Sequence, residues 1–116
     1  MELPDARLRF ATRLREARLR AKLTQEALGV AAGLSVDVAR TRINRYENGT
    51  RECDLRTAER LADALGLPLS ALVAIDEDMA DLVDLYANIP PLQRSLMLLQ
   101  AKASFSQYRV VKKRSD

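Results

Sequence analysis

The 116-residue chain contains no histidine and no tryptophan, and its one cysteine is Cys53. The missing imidazole excludes His/Cys zinc sites and any Ser/His or Cys/His catalytic device, and a single thiol cannot form a disulfide within the chain. Aromatic residues make up only 4% of the chain, and glycine and proline number four each. Few strand-favouring aromatics and few turn residues leave little material for a β architecture. No apolar run approaches the length of a membrane span, and no apolar stretch follows a basic N-terminus. Neither a membrane nor a cofactor is expected, and the cytoplasm is the expected location. An enzyme is not expected either, because no activated nucleophile or tuned acid–base pair can be assembled.

What is present is alanine, leucine and arginine, all strong helix formers, in a chain 47% hydrophobic and 30% charged. The composition predicts a soluble all-α protein. The net charge is +3, but its distribution says more than its sum. Residues 1–60 hold 13 Lys/Arg against 9 Asp/Glu; residues 61–91 hold six acids and no base; residues 92–116 hold six bases and one acid. A polyanion-binding surface is therefore expected on only part of the molecule. Arginine outnumbers lysine 15 to 4, which favours forked, bidentate contacts.

Helical signals follow one another with short breaks. Asp5 opens a helix to about Lys22, with Phe10, Leu14, Ala17 and Ala21 in one stripe. Thr24 caps Gln25–Ala32, which Gly33 ends. Ser35 or Asp37 caps a third helix that stops at Asn48-Gly49. Leu55, Ala58, Leu61, Ala62 and Leu65 share one face of a fourth, and Ser70 caps a short fifth running towards Ile75. Asp76 opens a sixth, with Met79, Leu82, Val83 and Tyr86 at helical spacing. After Pro90-Pro91 a seventh runs to about Ser106. The divisions expected are a domain over 5–75, a helical hairpin over 76–108, and a basic tail over 109–116.

The order Leu23-Thr24-Gln25, Gly33, then Arg45-Tyr46-Glu47-Asn48-Gly49 makes a helix-turn-helix. Over about Leu8 to Val73 the sequence resembles the Cro/C1-type (XRE-family) DNA-binding domains, the five-helix fold of lambdoid phage repressors. With Ile43 turned inward, Val36, Ala39 and Tyr46 fall on the same face of the third helix, at about 100° per residue. Thr41 and Arg45 then point outward, flanked by Asn44, Arg42 and Val38. Guanidinium, amide and hydroxyl groups are those that read major-groove edges, so Arg40, Thr41, Arg42, Asn44 and Arg45 are the expected base-reading residues of a double-stranded DNA site. The resemblance implies that Gln25 contacts phosphate and that Arg18 and Glu47 form a structural ion pair. Asn48 and Arg51, in the following turn, are further phosphate candidates.

Two departures stand out. Fourteen residues separate Gly33 from Glu47, about one helical turn more than the common pattern. Either the turn over Leu34–Val38 bulges or the third helix lengthens, and in the second case Asp37 and Val38 rather than Arg40 enter the groove first. Cys53 stands where the family usually has proline. It reads as an inert small residue, although Arg51 and Arg56 nearby could lower its pKa.

The acids Asp76, Glu77, Asp78, Asp81 and Asp84 lack the glycine and alternating ligands of a calcium loop. They read as helix-dipole partners and a solvated face. In the seventh helix Leu92, Leu96, Met97 and Leu99 carry more apolar surface than a short hairpin can bury, which predicts a homodimer. The functional expectation is a sequence-specific transcriptional repressor that binds an inverted repeat as a dimer. Two other readings stand beside it. One is an antitoxin that also represses its own operon, with a toxin or another regulator as protein partner. The other is a protein-interaction module on the same fold without DNA.

Overall fold

The computed structural model describes residues 5–108, which form seven α-helices and a terminal 3₁₀ turn with no strand among them. The helices are α1 (Ala6–Arg20), α2 (Gln25–Ala31), α3 (Val36–Glu47), α4 (Leu55–Ala64), α5 (Leu69–Leu72), α6 (Glu77–Asn88) and α7 (Pro91–Phe105). The basic tail expected over 109–116 lies outside the described residues.

Local chemistry sets the helix starts. Asp5, Thr24, Asp54 and Asp76 each cap a helix by accepting a hydrogen bond from a backbone N–H of the first turn. Helix α1 ends differently. Lys22 takes a left-handed conformation (φ 58°), while its N–H donates to the Leu19 carbonyl and the Leu23 N–H to the Arg18 carbonyl. This is a Schellman termination with lysine where glycine is usual.

The first five helices enclose one core of Phe10, Leu14, Leu28, Ile43, Tyr46, Leu61 and Leu72, with alanines between them. Gly29 lets α2 and α3 approach closely. A methyl group there would lie 2.7 Å from the Ala39 Cβ, nearer than side chains tolerate.

Three expectations are corrected. Val36 and Leu55, assigned to inward faces, are exposed, because each sits on a first turn that projects past its neighbours. Pro68, not Ser70, precedes the first residue of α5. Asp84 is half-buried rather than solvated. With Asp81 it faces Arg13 and Arg20 of α1 across a 370 Å³ cleft floored by Ala17, Leu72 and Ala80.

Beyond this body the chain is open. Ala80 is the one buried residue of α6, and α7 buries none. Near their turn, Arg94 stacks over the Tyr86 ring (5.3 Å) and donates from Nη2 to the Ala87 carbonyl. The radius of gyration is 16.7 Å, against about 13 Å for a compact domain of this size, so α7 stands away from the core.

Candidate nucleic-acid interface

The insertion between Gly33 and Glu47 is resolved as helix. Ser35 precedes α3, whose 12 residues begin at Val36, so the extra residues add a turn at its N-terminus. That turn carries Asp37 and Val38, both exposed, ahead of Arg40.

Ala39, Ile43 and Tyr46 anchor α3 in the core, which fixes the direction of the remaining side chains. Arg40, Thr41, Asn44 and Arg45 are exposed. Arg42 is half-buried and lies towards Cys53. Among the described residues, none of these three arginines meets a carboxylate at ion-pair distance. Gln25, Arg40, Thr41 and Asn44 together line a shallow cleft of 270 Å³ between the start of α2 and the outer face of α3.

Arg18 and Glu47 come together in a two-point ion pair. Arg18 donates from Nε to Glu47 Oε2 at 2.6 Å and from Nη2 to Oε1 at 2.9 Å, and Nη1 donates to the Leu23 carbonyl at 2.9 Å. The side chains are only 11% and 4% exposed. The carboxylate raises the Arg18 pKa further above its ordinary value, chiefly through the hydrogen bond and against the effect of burial. The pair joins the end of α1 to the end of α3 and, through Leu23, to the turn between α1 and α2.

The sequence reading missed what this pair does next. Glu47 Oε1 also accepts from Gln25 Nε2 at 3.3 Å, so the glutamine at the start of α2 is held by the ion pair. Its second amide hydrogen remains available. Asn48 is likewise held: it donates to Asn44 Oδ1 (3.3 Å) and accepts from the Thr50 N–H (3.1 Å) and hydroxyl (2.6 Å). Arg51 is exposed in the same turn. No sequence periodicity reports these links, because they join turns rather than helix faces.

Cys53 is half-buried beneath this turn. Burial pushes its thiol up to about 12, and Asp54 adds to the rise; the Tyr46 hydrogen bond and the charges of Arg42 and Arg51 oppose it and lose. Arg56, named above as a neighbour that could activate the thiol, acts on Asp54 instead.

The helix-turn-helix family matches residues 14–72, half of the chain and the whole of this surface. The chain belongs to that family. Within it the Cro/C1 (XRE) type is the one represented here, a class of DNA-binding transcriptional regulators and not of enzymes. A curated relative, the cryptic phage CTXphi transcriptional repressor RstR of Vibrio cholerae, is 28% identical over 113 residues, covering 90% of this chain and 96% of its own. The crystal structure of the transcriptional regulator BswR superposes with a TM-score of 0.70 at 31% identity, over 81% of this chain and 96% of that one. Both likenesses extend past residue 72, so the helix-turn-helix head and much of the C-terminal extension are shared. Among the described residues no helix is long and apolar enough to cross a membrane.

Proposed function

We propose that this regulator is a repressor that binds an inverted-repeat operator as a homodimer and blocks polymerase by occupying the site. In this reading residues 5–75 are the DNA-binding head and residues 76–108 the dimerisation segment. The observation that carries it is the outer face of α3, where Arg40, Thr41, Asn44 and Arg45 stand exposed, the first three lining one cleft with Gln25, and neither arginine has a carboxylate partner. Arginines left unpaired beside an amide and a hydroxyl form a surface built for base edges. Arg42 reads from the flank, and Gln25, Asn48 and Arg51 contact phosphates and set the register of α3 in the groove. The ion-paired Glu47 supports the role of Gln25, since it holds one amide hydrogen and leaves the other for an oxygen. RstR, a relative along nearly its whole length, is named a transcriptional repressor, which favours repression over activation.

The test is a selection from sheared genomic DNA at near-physiological salt with excess non-specific competitor, since phosphate contacts alone retain DNA at low ionic strength. The expected product is an inverted repeat with half-site centres about 10–11 base pairs apart, or a multiple of that. Arg45→Ala should then lower operator affinity by about 1–3 kcal/mol and relax preference at one base pair per half-site. Retention of fragments with no shared sequence would overturn the proposal.

A further inference from the structure

Resting on the reading of the outer face of α3 as the side that meets DNA, we infer that Arg15 of α1 anchors a backbone phosphate at the edge of that face. The six arginines of α1 have different surroundings. Arg18 is committed to Glu47, Arg13 bonds Glu16 at 3.1 Å, and Arg9 donates from Nε to the Val73 carbonyl at 3.4 Å. Arg13 and Arg20 look across the cleft towards Asp81 and Asp84. Arg7 sits on the first turn, about 12 Å along the helix from Arg15. Arg15 joins the ion-paired Arg18 in lining a separate cleft of 230 Å³, whose other walls are Gln25, Asn44, Glu47 and Asn48. It is exposed and, among the described residues, meets no carboxylate at ion-pair distance.

The lining of this cleft selects its ligand. The charges of Arg18 and Glu47 cancel in their two-point contact, so Arg15 supplies the net charge. Gln25 Nε2 gives one hydrogen to Glu47, and Asn48 Nδ2 gives one to Asn44, which leaves each amide a second hydrogen to donate. One guanidinium and two amides around a neutral ion pair fit a singly charged oxyanion. The phosphodiester backbone of a duplex offers one at the edge of the groove. Gln25 and Asn44 also line the cleft on the outer face of α3, so a phosphate seated beside Arg15 borders the bases that α3 reaches. The ion pair ties α1 to the end of α3. A phosphate held by Arg15 therefore fixes how α3 sits in the groove without choosing a base. Arg15 is a positioning residue.

Anisotropy titrations of the full chain against duplex DNA over a series of salt concentrations test the assignment. Arg15→Ala should lower the slope of log Kobs against log salt by about 1. It should weaken operator and non-specific duplexes alike, by about tenfold at low salt, with the helical signal and base preference unchanged. Arg15→Lys keeps the charge and should restore most of the slope. Arg20→Ala removes the same charge from the side of α1 that faces Asp81 and Asp84, and its slope should match the wild type. On the selected operator, a single neutral methylphosphonate at the docked phosphate should weaken the wild type and leave Arg15→Ala unaffected. Equal slopes for Arg15→Ala and Arg20→Ala, a changed base preference, or methylphosphonates that weaken both proteins equally would overturn the anchor and leave the repressor standing. The slope can be read on any duplex, so a selection without a shared sequence overturns the repressor and leaves the anchor to its own test. A wild type that binds no DNA removes both.

Discussion

Gly29 and Ala39 meet where α2 crosses α3, and the space between them is smaller than a methyl group. The angle between the two helices therefore depends on the absence of one carbon atom. Gly29→Ala gains helix propensity but forces α2 away from α3. The expected outcome is a net loss of about 1–3 kcal/mol of stability and a weaker operator complex. Denaturant melts and DNA titrations of the one variant check both. Unchanged stability would mean that α2 shifts freely.

Lys22 makes the opposite case. Its left-handed conformation ends α1 at a strain that glycine would not carry. Lys22→Gly should stabilise the protein by about 0.5–1 kcal/mol, the residual after glycine's greater unfolded-state entropy. A rise in melting temperature at unchanged α1 helicity is the expected reading.

Breaking the Arg18–Glu47 pair should cost more than any exposed ion pair. Glu47→Met leaves a nearly buried guanidinium with only the Leu23 carbonyl, and Arg18→Met leaves a nearly buried carboxylate with only Gln25. Each should lose about 3–5 kcal/mol, and the double variant should recover part of the loss. A double-mutant cycle by urea unfolding measures the coupling; additive losses would show that the two groups act separately.

Such details mark how far the sequence could be read. The caps at Asp5, Thr24 and Asp76 and the breaks at Gly33 and Gly49 announced the helices because they are local chemistry. Periodicity chose the correct face of α3 at Ala39, Ile43 and Tyr46. It failed at Val36 and Leu55, since a helical wheel says which way a residue points and not whether a neighbour extends that far. The close approach at Gly29, the hold of Glu47 on Gln25 and the cleft between Asp84 and Arg13 depend on how helices cross. No single helix carries that information.

Cys53 should behave as a buried small residue. With its thiol pushed up to about 12, the folded protein should react with iodoacetamide at pH 8 about tenfold or more slowly than the urea-unfolded chain. The linkage has a definite sign. Below the ordinary thiol value of 9.0 both states are protonated and the contribution to stability is full. Above it the unfolded chain ionises first, so stability falls as the pH rises towards 12. Equal alkylation of folded and unfolded protein would refute the buried-thiol description.

Asp37, in the added turn of α3, places a carboxylate on the surface proposed to face DNA. Asp37→Asn should strengthen binding to non-specific DNA a few-fold at low salt, with the gain fading as ionic strength rises. Weaker binding confined to the operator would instead assign Asp37 to a cytosine amine.

The added turn also bears on transferring recognition rules between regulators. It lengthens α3 by about 6 Å, close to the rise of two base pairs. A residue-to-base code worked out on a shorter recognition helix has no letters for Val36, Asp37 and Val38. Grafting the outer face of α3 onto such a scaffold would carry over the last two turns and cut the word short at its beginning.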